Sequence, residues 1–493
     1  MSTKRAILFS LVSWMLLALC YPPFPLGPLA LAVLAPWFYV LRTATKRGAL
    51  VASYLGAFLF NIISMYWLYH VGEVAPPALI FSGLFLGVAF LSLFTLLCAW
   101  VFIKIKDTPL LFLFPFFWAG IEVSRSKGDM SFPWLSLGLV FGNSIELMQA
   151  FALIGVFGCS VLIIASNMCL VAKKFVFVPV VLAVGIYIYG AIAYKEEGPA
   201  SDTVTVAVVQ PSIPQTEKWS REYFDSIMTH TWNLFETLDP SGVQLILFPE
   251  TAIPANIHTN RKEYDFLASY AEENNTVIVM GALSRAWSAS LKKKYVYNSV
   301  FLFGFGEPVA EYSKIHLVPF SERIPFKNIL PLINYVDLGG GDFSPGDSLV
   351  VWQPGNFSPL ICYEAIYGSL LREAKRKGAK FVTNHTNDGW FKRSIAPYQH
   401  LNLVRSHAVE NGIGVVRAAN TGISAFIGPN GRIIEQTELF EEKIIVQNMP
   451  LEPIFTLYSV VGDYIEWVLF VFSLGMIVVA KIKRVPNRPV GDS

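Results

Sequence analysis

Three residues stand at expected strand ends in the polar half of this chain, and their chemistry suits group transfer. Cys362 closes the run Ser358-Pro-Leu-Ile-Cys-Tyr-Glu364. Glu250 follows Leu245-Ile-Leu-Phe-Pro, and Lys314 lies between Glu311-Tyr-Ser313 and Ile-His-Leu-Val-Pro-Phe320. An apolar strand ending at a cysteine presents the thiol at a strand end, a common place for a nucleophile. A thiol with pKa near ~8.5 needs a base or a positive neighbour to become a thiolate. Taken singly, each residue also has a plainer reading: Cys362 as a buried structural thiol, Glu250 and Lys314 as solvated surface charges. His230, His258, His316, His385, His400 and His407 are other possible bases, but none lies in a cysteine-protease signature. There is no Cys/His cluster of zinc-binding type and no glycine-rich phosphate loop, so neither a metal nor an organic cofactor is expected.

The elements that must position these residues read as an α/β domain over residues 202–450. Buried strands are expected at 203–209, 245–248, 276–284, 380–384 and 413–418, judged by apolar run length. Strand pairs are expected at 295–303 with 308–313 and at 349–353 with 357–362, and short strands at 422–428, 431–435 and 443–448. Helices are expected at 218–238, 262–274, 367–377 and 398–411. A loop-rich stretch with Gly339-Gly-Gly341 and Pro345-Gly346 separates the two halves. Two sheets covered by helices are the natural packing of such a pattern. Cys362 is the only cysteine in this domain, so a disulfide within it is excluded; Cys20, Cys98, Cys159 and Cys169 fall in apolar runs, where a thiol behaves as a small hydrophobe.

The rest of the chain is of another kind. Of 493 residues, 54% are hydrophobic and 15% charged, against about 25% charged in soluble proteins; an integral membrane protein follows. The net charge of +2 gives no reason to expect nucleic acid. Eight spans are expected, at 6–20, 29–41, 49–69, 78–102, 108–122, 147–171 and 175–193 within a bundle over 1–200, and at 464–480 within 460–493. The first two are short, and Tyr21-Pro-Pro-Phe-Pro-Leu-Gly-Pro28 parts them. Lys4, Arg5, Arg42, Lys46, Arg47, Lys104, Lys106, Lys173, Lys174, Lys481, Lys483, Arg484 and Arg488 mark the cytoplasmic side; Arg125 and Lys127 are the exceptions. Both termini are then cytoplasmic, and residues 202–450 face the periplasm from a bacterial inner membrane. Trp118, Glu122, Arg125 and Phe132-Pro-Trp134 form an unusually polar patch, read either as an interfacial ion pair with an aromatic belt or as a lipid headgroup site.

Together, Phe-Pro-Glu250-Thr-Ala-Ile-Pro, Tyr-Ser-Lys314-Ile-His-Leu-Val-Pro-Phe-Ser-Glu322 and Ile-Cys362-Tyr-Glu364 resemble the Glu–Lys–Cys triad motifs of the nitrilase superfamily, whose fold is an α-β-β-α sandwich. From about residue 14 to 480 the chain resembles the apolipoprotein N-acyltransferases. The shared pieces are Trp67-Leu-Tyr69, the Trp118-to-Gly138 pattern, Val209-Gln-Pro with Lys218-Trp219, Phe343-Ser-Pro-Gly346, Asn387-Asp-Gly-Trp-Phe391, Ala396-Pro-Tyr-Gln-His400 and Arg417-Ala-Ala-Asn-Thr-Gly-Ile-Ser424. Ser321, Arg323 and Lys392 depart from the family pattern.

The resemblance implies a two-step acyl transfer from a phospholipid, usually phosphatidylethanolamine, to the α-amino group of an S-diacylglyceryl cysteine at a lipoprotein N-terminus. It implies Glu250 as the base, Cys362 as the nucleophile that becomes a thioester, and Lys314 with the Tyr363 backbone N–H as oxyanion donors. Glu322 and Glu364 would support this centre, and Trp219, Asn387, Trp390 and Phe320 would contact substrate. Apolar loops at 317–320 and 325–326 would keep water from the thioester. Partners are then the bilayer, the phospholipid donor and the lipoprotein acceptors, with the enzyme expected as a monomer. Two alternatives remain: a membrane-tethered amidase acting on a small amide, for which eight spans are unexplained, and a transporter with an external binding domain, against which the spans carry few buried charges and no evident inverted repeat.

Overall fold

The computed structural model describes residues 1–71, 77–172, 176–194, 201–288, 293–304, 309–326 and 342–482. Gly339-Gly-Gly341, most of the loop after residue 71, and the basic residues Lys173, Lys174, Lys483, Arg484 and Arg488 lie outside the described residues.

The apolar runs fold as α1 (Thr3–Ala18), α2 (Gly27–Thr43), α3 (Lys46–Met65), α4 (Pro77–Ile105), α5 (Pro109–Ser124), α6 (Phe151–Ala172) and α7 (Val178–Ala193), with a last helix at Leu457–Ile482. By length and composition, α3, α4, α6 and the last helix can each cross a membrane. The helices pack closely where glycine permits: a methyl at Gly120 would fall 2.2 Å from the Leu469 carbonyl oxygen of the last helix.

The polar patch differs from the expected ion pair. Glu122 is buried and accepts hydrogen bonds from Trp118 Nε1 at 2.9 Å and Leu137 N–H at 2.8 Å. The Arg125 guanidinium lies 5.9 Å from the Phe94 ring centre, and no ion pair within 4.0 Å joins it to Glu122. Donors already meet one oxygen of the carboxylate. The cavity between them is about 30 Å³, room for about one water rather than a phosphate headgroup.

Residues 202–450 form two sheets. The elements run β1 (Thr203–Gln210), α8 (Phe224–Phe235), β2 (Leu245–Leu247), β3 (Ile253–Asn256), α9 (Arg261–Glu273), β4 (Val277–Ser288), β5 (Lys293–Phe303), β6 (Ala310–Ser313), β7 (Phe357–Ile361), α10 (Gly368–Arg376), β8 (Phe381–Thr386), α11 (Ala396–Asn411), β9 (Gly414–Ala419), β10 (Ala425–Ile427), β11 (Ile433–Gln436) and β12 (Lys443–Pro450). One sheet has the order β12-β1-β2-β4-β5-β6, with β3 on β4; the other has β11-β10-β9-β8-β7. Alternation along β1 explains the layers. Val204, Val206 and Val208 join the large core shared with the second sheet, while Ala207 and Val209 join the core under α8 and α9. The nitrilase-like α/β arrangement expected from the motifs is therefore present. The expected strand at 349–353 is not: it contributes only a bridge between Trp352 and Phe357. The expected helix at 218–238 shortens to α8, and β3 was not foreseen, because four residues carry too little periodicity.

α11 is the joint between the two regions. It is buried on nearly every face, which explains why its sequence is not cleanly amphipathic. Gln399 accepts from Trp67 Nε1 at 3.2 Å and Trp134 Nε1 at 2.8 Å. Asn402 donates to the Leu139 carbonyl at 3.1 Å. At Gly155 (φ 67°, ψ 177°) α6 breaks, and Glu410 accepts the Val156 N–H at 3.0 Å, capping the helix that resumes there.

A second joint ties the last helix to α10. Arg372, 1% exposed, donates to Asp463 Oδ1 at 2.8 and 2.6 Å and to Glu466 Oε1 at 2.7 Å, and lies over the Tyr458 ring. Lys127 pairs with Glu466 at 3.1 Å. Removing one member of a buried charge cluster leaves the others uncompensated, at about 3–5 kcal/mol. Arg372→Met is therefore expected to lower stability by about 3 kcal/mol in detergent unfolding. Arg376→Met, at the exposed rim of the same cluster, should change it by less than about 1 kcal/mol. Equal effects would show that burial does not set the strength of this joint.

Candidate active site

Strand ends converge on one cavity. Glu250 follows β2, Lys314 follows β6, Cys362 follows β7 and Asn387 follows β8. Carboxyl ends of strands are where the chain leaves its ladder and side chains are free to face a ligand. Cys362 adopts a left-handed backbone (φ 51°), a conformation that costs a non-glycine residue about 1–3 kcal/mol. Glu364 holds this turn. Its carboxylate accepts from Ile361 N–H at 2.7 Å, Ile315 N–H at 2.7 Å, His316 N–H at 3.2 Å and the Tyr312 hydroxyl at 3.0 Å. One buried side chain thus fixes both the turn bearing Cys362 and the segment after Lys314.

Lys314 is buried between two carboxylates: Nζ lies 2.8 Å from Glu322 Oε1 and 3.5 Å from Glu250 Oε1. Asn298 completes the array, donating to Glu250 Oε1 at 2.7 Å and Glu322 Oε1 at 3.1 Å. Burial acts to lower the Lys314 pKa, but Glu322 and Glu250 outweigh it and hold the ammonium above its ordinary range. The Cys362 thiol is pushed up to about 12, by burial first and by the Glu250 charge second, with Lys314 opposing. Cys362 therefore rests as a thiol, a form that reacts only once a base takes its proton.

The cavity has a volume of about 130 Å³ and is lined by Glu250, Lys314, Glu322, Cys362, Asn298 and Tyr363 on its polar side. Trp67, Leu68, Val71, Phe132 and Trp134 from the membrane region, with Trp219, Trp390, Phe391, Val318 and Phe343, form the rest of the wall. Tyr363 is anchored across the joint, its hydroxyl donating to the Ser131 carbonyl at 2.8 Å.

The structure thus brings Glu250, Lys314, Cys362, Tyr363, Glu322, Trp219, Asn387 and Trp390 to one cavity. Of the residues expected to contact substrate, Phe320 does not line it. Glu364 lies beneath the turn that bears Cys362, with its carboxylate occupied by backbone donors. Phe320 is held in a left-handed turn (φ 63°) by its N–H bond to the Arg323 carbonyl, so Val318 and Phe343 supply the apolar wall in its place. Asn387 is committed to Gln215, Gly389 and Asn420.

Several residues of the site were not singled out from the sequence. Asn298 had a signal, a polar residue inside the apolar strand β5. Lys218 is buried and donates to the Glu250 carbonyl at 2.8 Å; burial lowers its pKa to about 8. Asp388 was not singled out and His400 stood only among the possible bases; nothing in the sequence places the two together. Of the other histidines, His385 is neutral, lowered to about 4 by burial, and ties β8 to the end of β2 through the Phe248 carbonyl at 2.7 Å.

Known proteins resemble the chain over both of its regions. Residues 205–455 match the carbon-nitrogen hydrolase family, and residues 13–169 match the apolipoprotein N-acyltransferase N-terminal domain. An apolipoprotein N-acyltransferase of Geobacter metallireducens is 31% identical over 490 residues, covering 94% of this chain and 93% of the relative. One from Chlorobaculum tepidum is 28% identical over 98% of this chain and 97% of its own length. Among solved structures, a nitrilase-superfamily protein of Saccharomyces cerevisiae aligns at 19% identity with TM-score 0.37, covering 55% of this chain and 96% of its own. On the strength of a near full-length relative and two adjoining family matches, the chain belongs to the apolipoprotein N-acyltransferase family.

Proposed function

We propose that this protein transfers an acyl chain from a phospholipid, phosphatidylethanolamine by family likeness, to the α-amino group of the N-terminal S-diacylglyceryl cysteine of apolipoproteins, the last step of bacterial lipoprotein maturation. The observation that carries this reading is the shared cavity. Its polar wall holds Glu250, Lys314 and Cys362, and its apolar wall comes from Trp67, Leu68, Val71, Phe132 and Trp134 of the membrane region. A soluble amide would need no such wall. A lipid does, because each CH₂ drawn into water costs about 0.8 kcal/mol.

In this reading Glu250 takes the thiol proton as Cys362 attacks the acyl ester, and a lysophospholipid leaves. The acceptor amine then attacks the thioester, Glu250 moving the proton to the departing sulfur. Lys314, held charged by its two carboxylates, and the Tyr363 N–H stabilise the oxyanion, each such donor being worth about 3–4 kcal/mol. Glu322 and Asn298 hold Lys314 and Glu250 at fixed spacing, Glu364 holds the nucleophile turn, and Trp219, Trp390, Val318 and Phe343 exclude water.

The placement proposed is a bacterial inner membrane with eight spans, cytoplasmic termini and a periplasmic catalytic domain, the enzyme acting as a monomer. One contact and the course of one helix support the orientation. Lys106 donates to the Arg42 carbonyl at 3.2 Å, gathering basic loops at one end of the bundle. α3 runs from that end, at Lys46, towards Trp67 in the cavity wall.

Mixing the purified protein with phosphatidylethanolamine is expected to add the mass of one acyl chain, removed by hydroxylamine and absent from Cys362→Ser. An adduct that survives hydroxylamine, or persists in the variant, would end the thioester reading, and released fatty acid without acylated amine would point to the amidase. The thiol's height also sets a pH dependence. Only the thiolate alkylates, so Cys362 modification by iodoacetamide should keep rising between pH 8 and pH 11. A plateau near pH 9 would mean that burial does not restrain this thiol.

A further inference from the structure

Lys218 is a buried cation that the reaction above leaves unused. It ends the short helix Gln215–Lys218, which Asn387 ties to the end of β8 by donating to Gln215 Oε1 at 2.7 Å. The next residue, Trp219, lines the cavity, while Lys218 itself is only 2% exposed. Its Nζ donates to the Glu250 backbone carbonyl at 2.8 Å. Among the described residues that is the ammonium's one hydrogen bond, and no carboxylate oxygen lies within 4.0 Å of it.

The turn that bears Glu250 is otherwise held by neutral groups. The Phe248 N–H donates to the Val279 carbonyl at 2.9 Å, and neutral His385 binds the Phe248 carbonyl at 2.7 Å. β4 passes so close that a methyl at Gly281 would fall 2.3 Å from the Pro249 carbonyl oxygen. A neutral donor could hold the Glu250 carbonyl as well, at far less desolvation cost than an ammonium with a single hydrogen bond. What the ammonium alone supplies is its charge.

That charge acts on the reacting groups. Burial lowers the Lys218 pKa to about 8, with Glu250 and then Cys362 opposing the fall as negative charges, so Lys218 is charged at neutral pH. The attraction is mutual, and the lysine favours the carboxylate of Glu250. Lys314, 3.5 Å from Glu250 Oε1, and Glu322, 2.8 Å from Lys314, complete the charged set. Two carboxylates then meet two ammoniums beside an uncharged thiol. Without Lys218 the set would hold one excess negative charge in a buried place, and a proton taken up on Glu250 would relieve it. A protonated Glu250 cannot act as a base.

We propose that Lys218 is the positioning residue of the base: its ammonium holds the Glu250 backbone and, through its charge, keeps the Glu250 side chain ready to take the Cys362 proton. This rests on the acyl-transfer reading above. In that step the S–H bond breaks, its proton goes to Glu250, and sulfur bonds to the acyl carbon. The carbonyl electron pair moves onto oxygen, and on collapse the C–O bond breaks as Glu250 returns the proton to the departing lysophospholipid. Lys218 exchanges no proton in this sequence.

The test is the pH dependence of thioester formation, timed by intact mass with phosphatidylethanolamine from pH 5.5 to 9.5. Lys218→Gln keeps a donor for the Glu250 carbonyl but removes the charge; Lys218→Arg keeps the charge. In Lys218→Gln the acidic limb of the rate should move up by about one pH unit, a loss of about tenfold below the limb that disappears by pH 9. Lys218→Arg should keep the limb of the unaltered enzyme, and the half-saturating donor concentration should not change in either variant. Lys218→Met serves in the same comparison should the glutamine variant not fold. A limb unmoved in the uncharged variant would overturn the proposal, as would a loss of equal size at every pH, which marks a purely structural role. Failure of the unaltered enzyme to form any thioester would instead reject the acyl-transfer reading.

Discussion

A positive charge, Lys314, is buried in this protein, and the geometry of the site follows from the need to keep it there. An isolated ammonium in such a place would lose its proton or its position. Here Glu322 at 2.8 Å and Glu250 at 3.5 Å hold it, with Asn298 bridging both carboxylates. Satisfying one charge therefore draws together the end of β2, the middle of β5, the end of β6 and the loop at 322. Burial, and after it the Glu250 carboxylate that retains the lysine, raise the Cys362 thiol, so Cys362 rests protonated beside that carboxylate. Buried ion clusters are poor sources of stability; what this one supplies is fixed spacing in a site of low polarity.

A second constraint acts across the boundary between the two regions. Arg372 with Asp463 and Glu466, Glu410 on the broken α6, Gln399 on two tryptophans, and Tyr363 on Ser131 all join catalytic-domain residues to the membrane region. The large apolar core runs through both regions without interruption. A cavity wall contributed by the membrane region can then stand at a defined place relative to Cys362, which a flexible tether could not ensure. The break at Gly155 shows how the joint is made: an opened helix exposes an N–H, and a catalytic-domain carboxylate receives it.

The strained turns fit the same picture. Cys362 has positive φ, as does Thr251 beside Glu250. Both follow strands whose ladders are buried, and in the Cys362 turn Glu364 collects three backbone donors to hold the conformation. Strain at such points persists only where the surroundings over-determine it.

Much of this was legible in the residues alone. The apolar runs located the long helices, four of which are long and apolar enough to cross a membrane, because hydrophobicity over some 20 residues needs no partner to be read. Glu250, Lys314 and Cys362 were singled out by the short motifs around them, a local pattern. The tertiary structure decided the rest. Asn298, Lys218, Asp388 and His400 gain meaning only from groups distant in the chain, and no local pattern pairs them. Phe320 was placed in the pocket by proximity to motif residues, and a left-handed turn removes it. The direct Glu122–Arg125 pair is absent too: Trp118 and the Leu137 amide meet Glu122, and the Arg125 guanidinium lies by the Phe94 ring. Sequence spacing sets which residues are neighbours along an element, whereas hydrogen-bond saturation across elements sets which of them remain free to act.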